Sequence, residues 1–142
     1  MGGKAITYEI RRTSTASPER LFALLSDAPS WPTWFKPAKR MEFEPGAQPP
    51  VRLVKLAPGV AIREVIVEEN APIHHAYSIR SVIPIKDHRA DVWLTERADG
   101  GTDIRWASSM RPKLPGTGLV LKASLTKAVS GVCKALLKAA KA

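Results

Sequence analysis

Residues 116–142 read GTGLVLKASLTKAVSGVCKALLKAAKA, and their spacing predicts one long amphipathic helix at the end of the chain. At 100° per residue, Leu121, Leu125, Ala128, Val129, Val132, Leu136 and Ala139 fall in one arc of roughly 100°. Lys127, Lys134, Lys138 and Lys141 fall within roughly 60° on the other side. Cys133 lies at the margin of the apolar arc, which suits packing better than nucleophilic chemistry. Residues 104–142 contain no Asp or Glu but eight basic residues: Arg105, Arg111, Lys113, Lys122, Lys127, Lys134, Lys138 and Lys141. Eight of the nine net positive charges therefore belong to this end of the chain. The inner face of such a helix reports on what the fold encloses, and its outer face on what the surface meets.

The remaining composition bounds the class. A chain of 142 residues fits a single domain, 1–142. An apolar content of 44% allows a core, and no apolar run reaches the roughly 18 residues that span a bilayer. The stretch Met1 to Glu9 has no apolar signal region, and Ile6 stands where a myristoylation signal needs Ser or Thr. The one cysteine excludes an internal disulfide, so the expected compartment is a reducing cytoplasm. A pI near 10.1 raises a nucleic-acid or anionic-membrane reading. No nucleic-acid module accompanies the charge, which favours a solvated helix face; peripheral contact with an anionic membrane stays open.

Working back from the helix, the period changes to two. Ile6, Tyr8 and Ile10 alternate with Thr7, Glu9 and Arg11 in a strand at 5–14, whose apolar face continues into Arg12 and Ser14. Ser17 is a good N-cap and Pro18 suits the first helical position; Leu21, Phe22, Leu24 and Leu25 supply the helix's apolar face. A second short helix is expected at 30–35, carrying Trp31 and Trp34. Further strands are expected at 40–44, 51–57, 60–69, 74–83, 88–97 and 102–111. Pro45-Gly46, Pro58-Gly59, Asn70-Ala71-Pro72 and Asp99-Gly100-Gly101 separate them. Seven strands with short connections should be antiparallel neighbours.

This order is the helix-grip layout, an α+β fold. Ala16-Ser17-Pro18-Glu19-Arg20-Leu21-Phe22-Ala23-Leu24-Leu25-Ser26-Asp27 followed by Trp31-Pro32-x-Trp34 resembles the opening of the START-like (SRPBCC) superfamily. That superfamily includes polyketide cyclases, lipid-transfer domains and birch-pollen allergens. Arg63-Glu64-Val65, the segment from Pro72 to Tyr77, and Gly100-Gly101-Thr102-x-Ile104-x-Trp106 resemble its middle strands. Pro112, Pro115, Gly116 and Gly118 resemble its lead into the last helix. Ser14, where an apolar residue is usual, and Trp93, where a smaller one is usual, depart from the pattern. The resemblance implies a curved seven-stranded antiparallel sheet around the terminal helix, with an elongated cavity between them. Independently, the small residues Ala128, Val132 and Ala139 on the helix's apolar arc would leave room there.

The chemistry is sparse. His74 and His75 are neighbours on a strand, so they point to opposite faces, and no second Cys or His lies at ligand spacing. His74, His75 and His88 therefore read as polar surface, with no metal and no cofactor expected. No nucleophile elbow, P-loop or dinucleotide fingerprint is present, and no catalytic residue can be named. If Tyr77 faces inward, as in the superfamily, so do Ile79 and Ser81; if Trp106 does, so do Ile104, Ser108 and Met110. The phase of 60–69 is ambiguous by alternation, and the superfamily pattern puts Glu64 inside. Arg12, on the face of Tyr8, is a second candidate inward charge. Each such charge needs a partner, water or a ligand group. Trp34, Phe43, Tyr77 and Trp106 read as wall, with Leu121, Leu125 and Val132 facing them from the helix. The expected function is binding of a hydrophobic small molecule such as a lipid, polyketide or isoprenoid. The alternatives are a cyclase or aromatase using Tyr77, Arg12 or Glu64, and an interaction module using the basic helix face.

Overall fold

Alternation along the chain is realised as one seven-stranded antiparallel sheet in the computed structural model, which describes residues 5–81 and 83–141. The readings of Met1 to Lys4, and of Val82 in the strand expected at 74–83, lie outside the described residues. The elements are β1 (Ile6–Ser14), α1 (Pro18–Ser26), a 3-10 turn (Ala28–Ser30), α2 (Trp31–Trp34), β2 (Arg40–Phe43), β3 (Val51–Ala57), β4 (Val60–Asn70), β5 (His74–Ile79), β6 (Ile85–Glu96), β7 (Thr102–Pro112) and α3 (Gly118–Lys141). Sheet order is β1-β7-β6-β5-β4-β3-β2, so every step except the return of β7 to β1 joins sequence neighbours. This is the helix-grip α+β fold. Ser17 caps α1 by accepting from the N–H of Arg20 at 3.2 Å, with Pro18 at the first position.

One face of the sheet carries the core: Tyr8, Ile10, Met41, Val54, Ile66, Tyr77, Ala90, Val92, Leu94, Ile104, Trp106 and Met110 are all buried. Against it pack α1 and α3. Both departures from the superfamily pattern have local reasons. Ser14 is buried because its hydroxyl accepts from the N–H of Ala16 at 3.0 Å, and a Cβ on Gly101 would stand 2.3 Å from its carbonyl oxygen. Trp93 lies on the outer face, stacked on His74 with ring centroids 3.6 Å apart.

Three bulges, between Lys55 and Ala57, Ile66 and Glu68, and Lys86 and Arg89, shift the register. An extra residue leaves one position unpaired and changes which side chains meet. The last bulge accounts for β6 starting at Ile85 rather than 88: its pairing with β7 runs on to Ile85 opposite Pro112. β5 pairs with β6 only from His74 to Tyr77, and the two strands then diverge.

The helix is rotated from its expected setting. Its buried residues are Val129, Cys133, Leu136 and Ala140, an arc centred about 60° from the predicted one. Cys133 belongs to the buried arc and is fully buried, not marginal. Ala128 is exposed and Val132 and Ala139 are half-buried, so the small residues expected to leave room do not face the sheet. Close approach selects the small Cys133 and Ala140 as contact residues instead. Lys127, Lys134, Lys138 and Lys141 point to solvent. Among the described residues no helix is long and apolar enough to cross a membrane.

Candidate functional site

Arg52 lies on the core face of β3, opposite Glu64 on β4, and is 1% exposed. Its Nε donates to Glu64 Oε1 at 2.7 Å and its Nη1 donates to the carbonyl of Leu25 at 3.2 Å. The guanidinium also sits over the rings of Trp31 (4.9 Å) and Tyr77 (5.1 Å). A buried charge is tolerable when it is paired and hydrogen-bonded, and this one nearly is. Its Nη2 alone has no partner.

His75 follows on β5, 1% exposed, between Phe22 and Tyr77. The Glu69 carboxylate is 3.4 Å from its Nδ1 without an aligned hydrogen bond, and both ring nitrogens lack a partner. Burial, and more weakly the charge of Arg52, holds its pKa below the usual value, while Glu69 opposes the shift. Tyr77 accepts from Trp106 Nε1 at 3.3 Å, and burial raises its phenol well above the ordinary range.

Where β5 and β6 part, His88 fills the gap. Its Nδ1 accepts from the N–H of Ile79 at 2.9 Å, so the ring proton is on Nε2, which donates to Ser108 Oγ at 3.2 Å. Burial lowers its pKa to about 4. Burial raises the pKa of the Tyr8 phenol, and the nearby Ser108 hydroxyl partly offsets that rise. Ile79, His88 and Ser108 thus form a chain of hydrogen bonds across β5, β6 and β7.

Two clefts adjoin these residues. One of about 990 Å³ opens where β5 and β6 diverge, lined by Leu53, Ala61, Ile79, Ile85 and His88, with Ser78, Ser81, the cations Arg63, Arg80, Lys86 and Lys113, and Asp87. The other, of about 700 Å³, runs along β1, β6 and β7 and takes in Tyr8 and Ser108 with Lys122 and Thr126 of α3. Volumes of this order suit small molecules. Between the sheet and the second half of α3 the side chains are closely packed: Trp106, Met110, Cys133 and Leu136 are 0–1% exposed.

Of the residues singled out from sequence, Tyr8, Glu64, Tyr77, Trp106, Ser108 and Met110 share the core face. Ile79 and Ser81 line the larger cleft, and the Ser81 hydroxyl donates to the carbonyl of Ala61. Leu121, Leu125 and Val132 are half-buried on α3. Trp34 packs on Trp31, 4.8 Å between centroids. Two fall outside: Phe43 is 43% exposed at the sheet edge, and Arg12 is exposed beside the end of α3 with Lys134, Lys138 and Lys141.

The histidines overturn their surface reading. His74, His75 and His88 are 4%, 1% and 4% exposed, and His74 lies between Asp91 (2.7 Å) and Glu68 (3.1 Å) on the outer face. Arg52 and His75 were not picked out by sequence. The available signal for Arg52 was the inward carboxylate itself, which requires a cation on the neighbouring strand.

The family described as polyketide cyclase / dehydrase and lipid transport matches residues 5–142. Among solved structures, Ara h 8.0201 superposes with a TM-score of 0.79 at 20% identity, covering 96% of this chain and 98% of that one. Norcoclaurine synthase from Thalictrum flavum, in complex with dopamine and hydroxybenzaldehyde, gives 0.76 at 11% identity, over 95% and 86% of the two chains. A START superfamily protein from Mycobacterium smegmatis gives 0.74 at 13% identity, over 98% of each chain. These likenesses concern the fold. No curated protein matches in sequence at a significant level.

Proposed function

We propose, from the premise that the chain belongs to the polyketide cyclase / dehydrase and lipid transport family, that it binds a hydrophobic small molecule of the lipid, polyketide or isoprenoid kind. The single observation that supports this most is the cleft of about 990 Å³ at the divergence of β5 and β6, whose wall takes in the half-buried Ile79 and the core residue Ile85. The ligand's apolar body would lie along Leu53, Ala61, Ile79 and Ile85, and its polar end would meet Ser81 or the cations of the rim.

The test is affinity for a fluorescent lipid analogue, with native mass spectrometry of the purified protein for a retained ligand. Ile79→Lys should abolish binding, because it sets a charge against the apolar wall of the cleft. Tyr77→Phe and Arg12→Ala should leave affinity within a few-fold. Equal affinity in Ile79→Lys would overturn the reading.

A further inference from the structure

Residues 118–128 of α3 contain no buried side chain, although they include Leu119, Val120, Leu121 and Leu125. Leu119 is 85% and Val120 68% exposed, and Leu114 in the preceding turn is 55% exposed. Val60, 47% exposed, follows the Pro58-Gly59 turn at the same end of the sheet. Among the described residues, four of the seven exposed large apolar side chains therefore lie at the end of the sheet where the larger cleft opens. The helix start is anchored there rather than frayed: Gly118 is close enough to Ile6 that a Cβ would stand 3.1 Å from its Cδ1, and the N–H of Lys113 donates to the carbonyl of Pro84.

The charges at this end are mostly of one sign. Lys113 and Lys122 flank Leu114, Leu119 and Val120, and Arg80 and Lys86 stand across the cleft; all four are exposed. Asp87 is the one acid lining that cleft, and it lies 3.8 Å from Arg111. Apolar side chains at a tip, ringed by cations, suit an anionic bilayer, where the former enter the headgroup boundary and the latter meet the headgroups. A nucleic acid would use the cations and leave Leu119 and Val120 in water.

We propose that this end, Leu114, Leu119 and Val120 with Lys113 and Lys122, docks the protein on an anionic lipid surface, setting the cleft against the membrane. The proposal concerns the surface and does not depend on what the cleft holds.

The experiment is co-sedimentation of the full chain with phosphatidylcholine vesicles and with vesicles of phosphatidylcholine and phosphatidylglycerol mixed two to one. Partitioning onto the anionic vesicles alone is expected, falling as salt rises. Leu119→Ser/Val120→Ser should weaken it by at least about tenfold, since both side chains are left in water. Lys113→Gln/Lys122→Gln should weaken it by about fivefold per lysine. Lys134→Gln/Lys138→Gln, toward the other end of the helix, should bind as the parent does. All these positions are exposed, so circular dichroism should show unchanged melting. Absence of partitioning overturns the proposal. So does equal loss in the Lys134/Lys138 variant, or a dimer in solution that Leu119→Ser dissociates, which would make a second copy the partner. Salt-sensitive RNA binding that survives Leu119→Ser/Val120→Ser, without vesicle binding, overturns it as well.

Discussion

The two halves of α3 have similar composition and opposite fates. Residues 129–141 bury Val129, Cys133, Leu136 and Ala140, while residues 118–128 only half-bury Leu121 and Leu125 and leave Leu119 and Val120 exposed. The packed half meets β1 and α1 near the end of the molecule that holds the Arg52–Glu64 pair, and its small residues let the backbones approach. The open half overhangs the end where β5 and β6 separate. An apolar side chain is fully buried only where a surface covers it, and along α3 that cover is complete at one end alone. One end is thus a closed core and the other an accessible rim.

The sharpest test of this contrast is the ion pair at the closed end. Glu64→Ala should destabilise the fold by about 3–5 kcal/mol, because Arg52 is left charged and buried. The double variant Arg52→Met/Glu64→Leu should recover most of that loss in urea denaturation; equal destabilisation would mean the pair does more than satisfy itself. Along the helix, Leu136→Ala should cost about 2–5 kcal/mol by leaving a cavity. Leu119→Ala should change stability by less than about 0.5 kcal/mol. Similar values for the two would erase the distinction between the halves.

At the open end, pH is the lever. His88 has a folded pKa of about 4 against an ordinary 6.5, so the unfolded chain takes up its proton first. Its contribution is intact above pH 6.5 and is lost as pH falls from there to about 4, amounting to roughly 3 kcal/mol. Protonation also removes the acceptor of the Ile79 N–H. His75 shifts in the same direction, so the measurement is the difference between parent and His88→Gln in urea melts across that window. Parallel curves would show that His88 is not the titrating group. The smallest effect belongs to the solvated stripe: Lys127, Lys134, Lys138 and Lys141 changed together to Gln should shift stability by less than about 0.5 kcal/mol.

Much of this architecture was legible in the residues themselves. Period-two alternation, the caps and turns at Ser17-Pro18, Pro58-Gly59 and Asp99-Gly100-Gly101, and the apolar repeat of the last helix are local signals, each carried by a few adjacent side chains. Together they determined element type, order and antiparallel neighbours. The same periodicity put Trp106 with Ser108 on one face of their strand, while the inward setting of Tyr77 came from the family resemblance.

What the sequence left open is whatever depends on a count or a rotation settled between elements. A simple two-residue turn at Pro58-Gly59 pairs Ala57 with Val60 and would carry Glu64 opposite Leu53. One bulged residue after Lys55 brings it opposite Arg52 instead, creating the buried pair. The bulge after Lys86 likewise carries His88 into the gap beside Ile79. The rotation of α3 was decided by which side chains allow close approach to the sheet and α1, and so was the burial of Cys133 in place of Ala128. A strand's alternation repeats every two residues and a helix's every 3.6, so neither can record a single inserted residue or a turn of the whole helix. Those are fixed only when the surfaces meet.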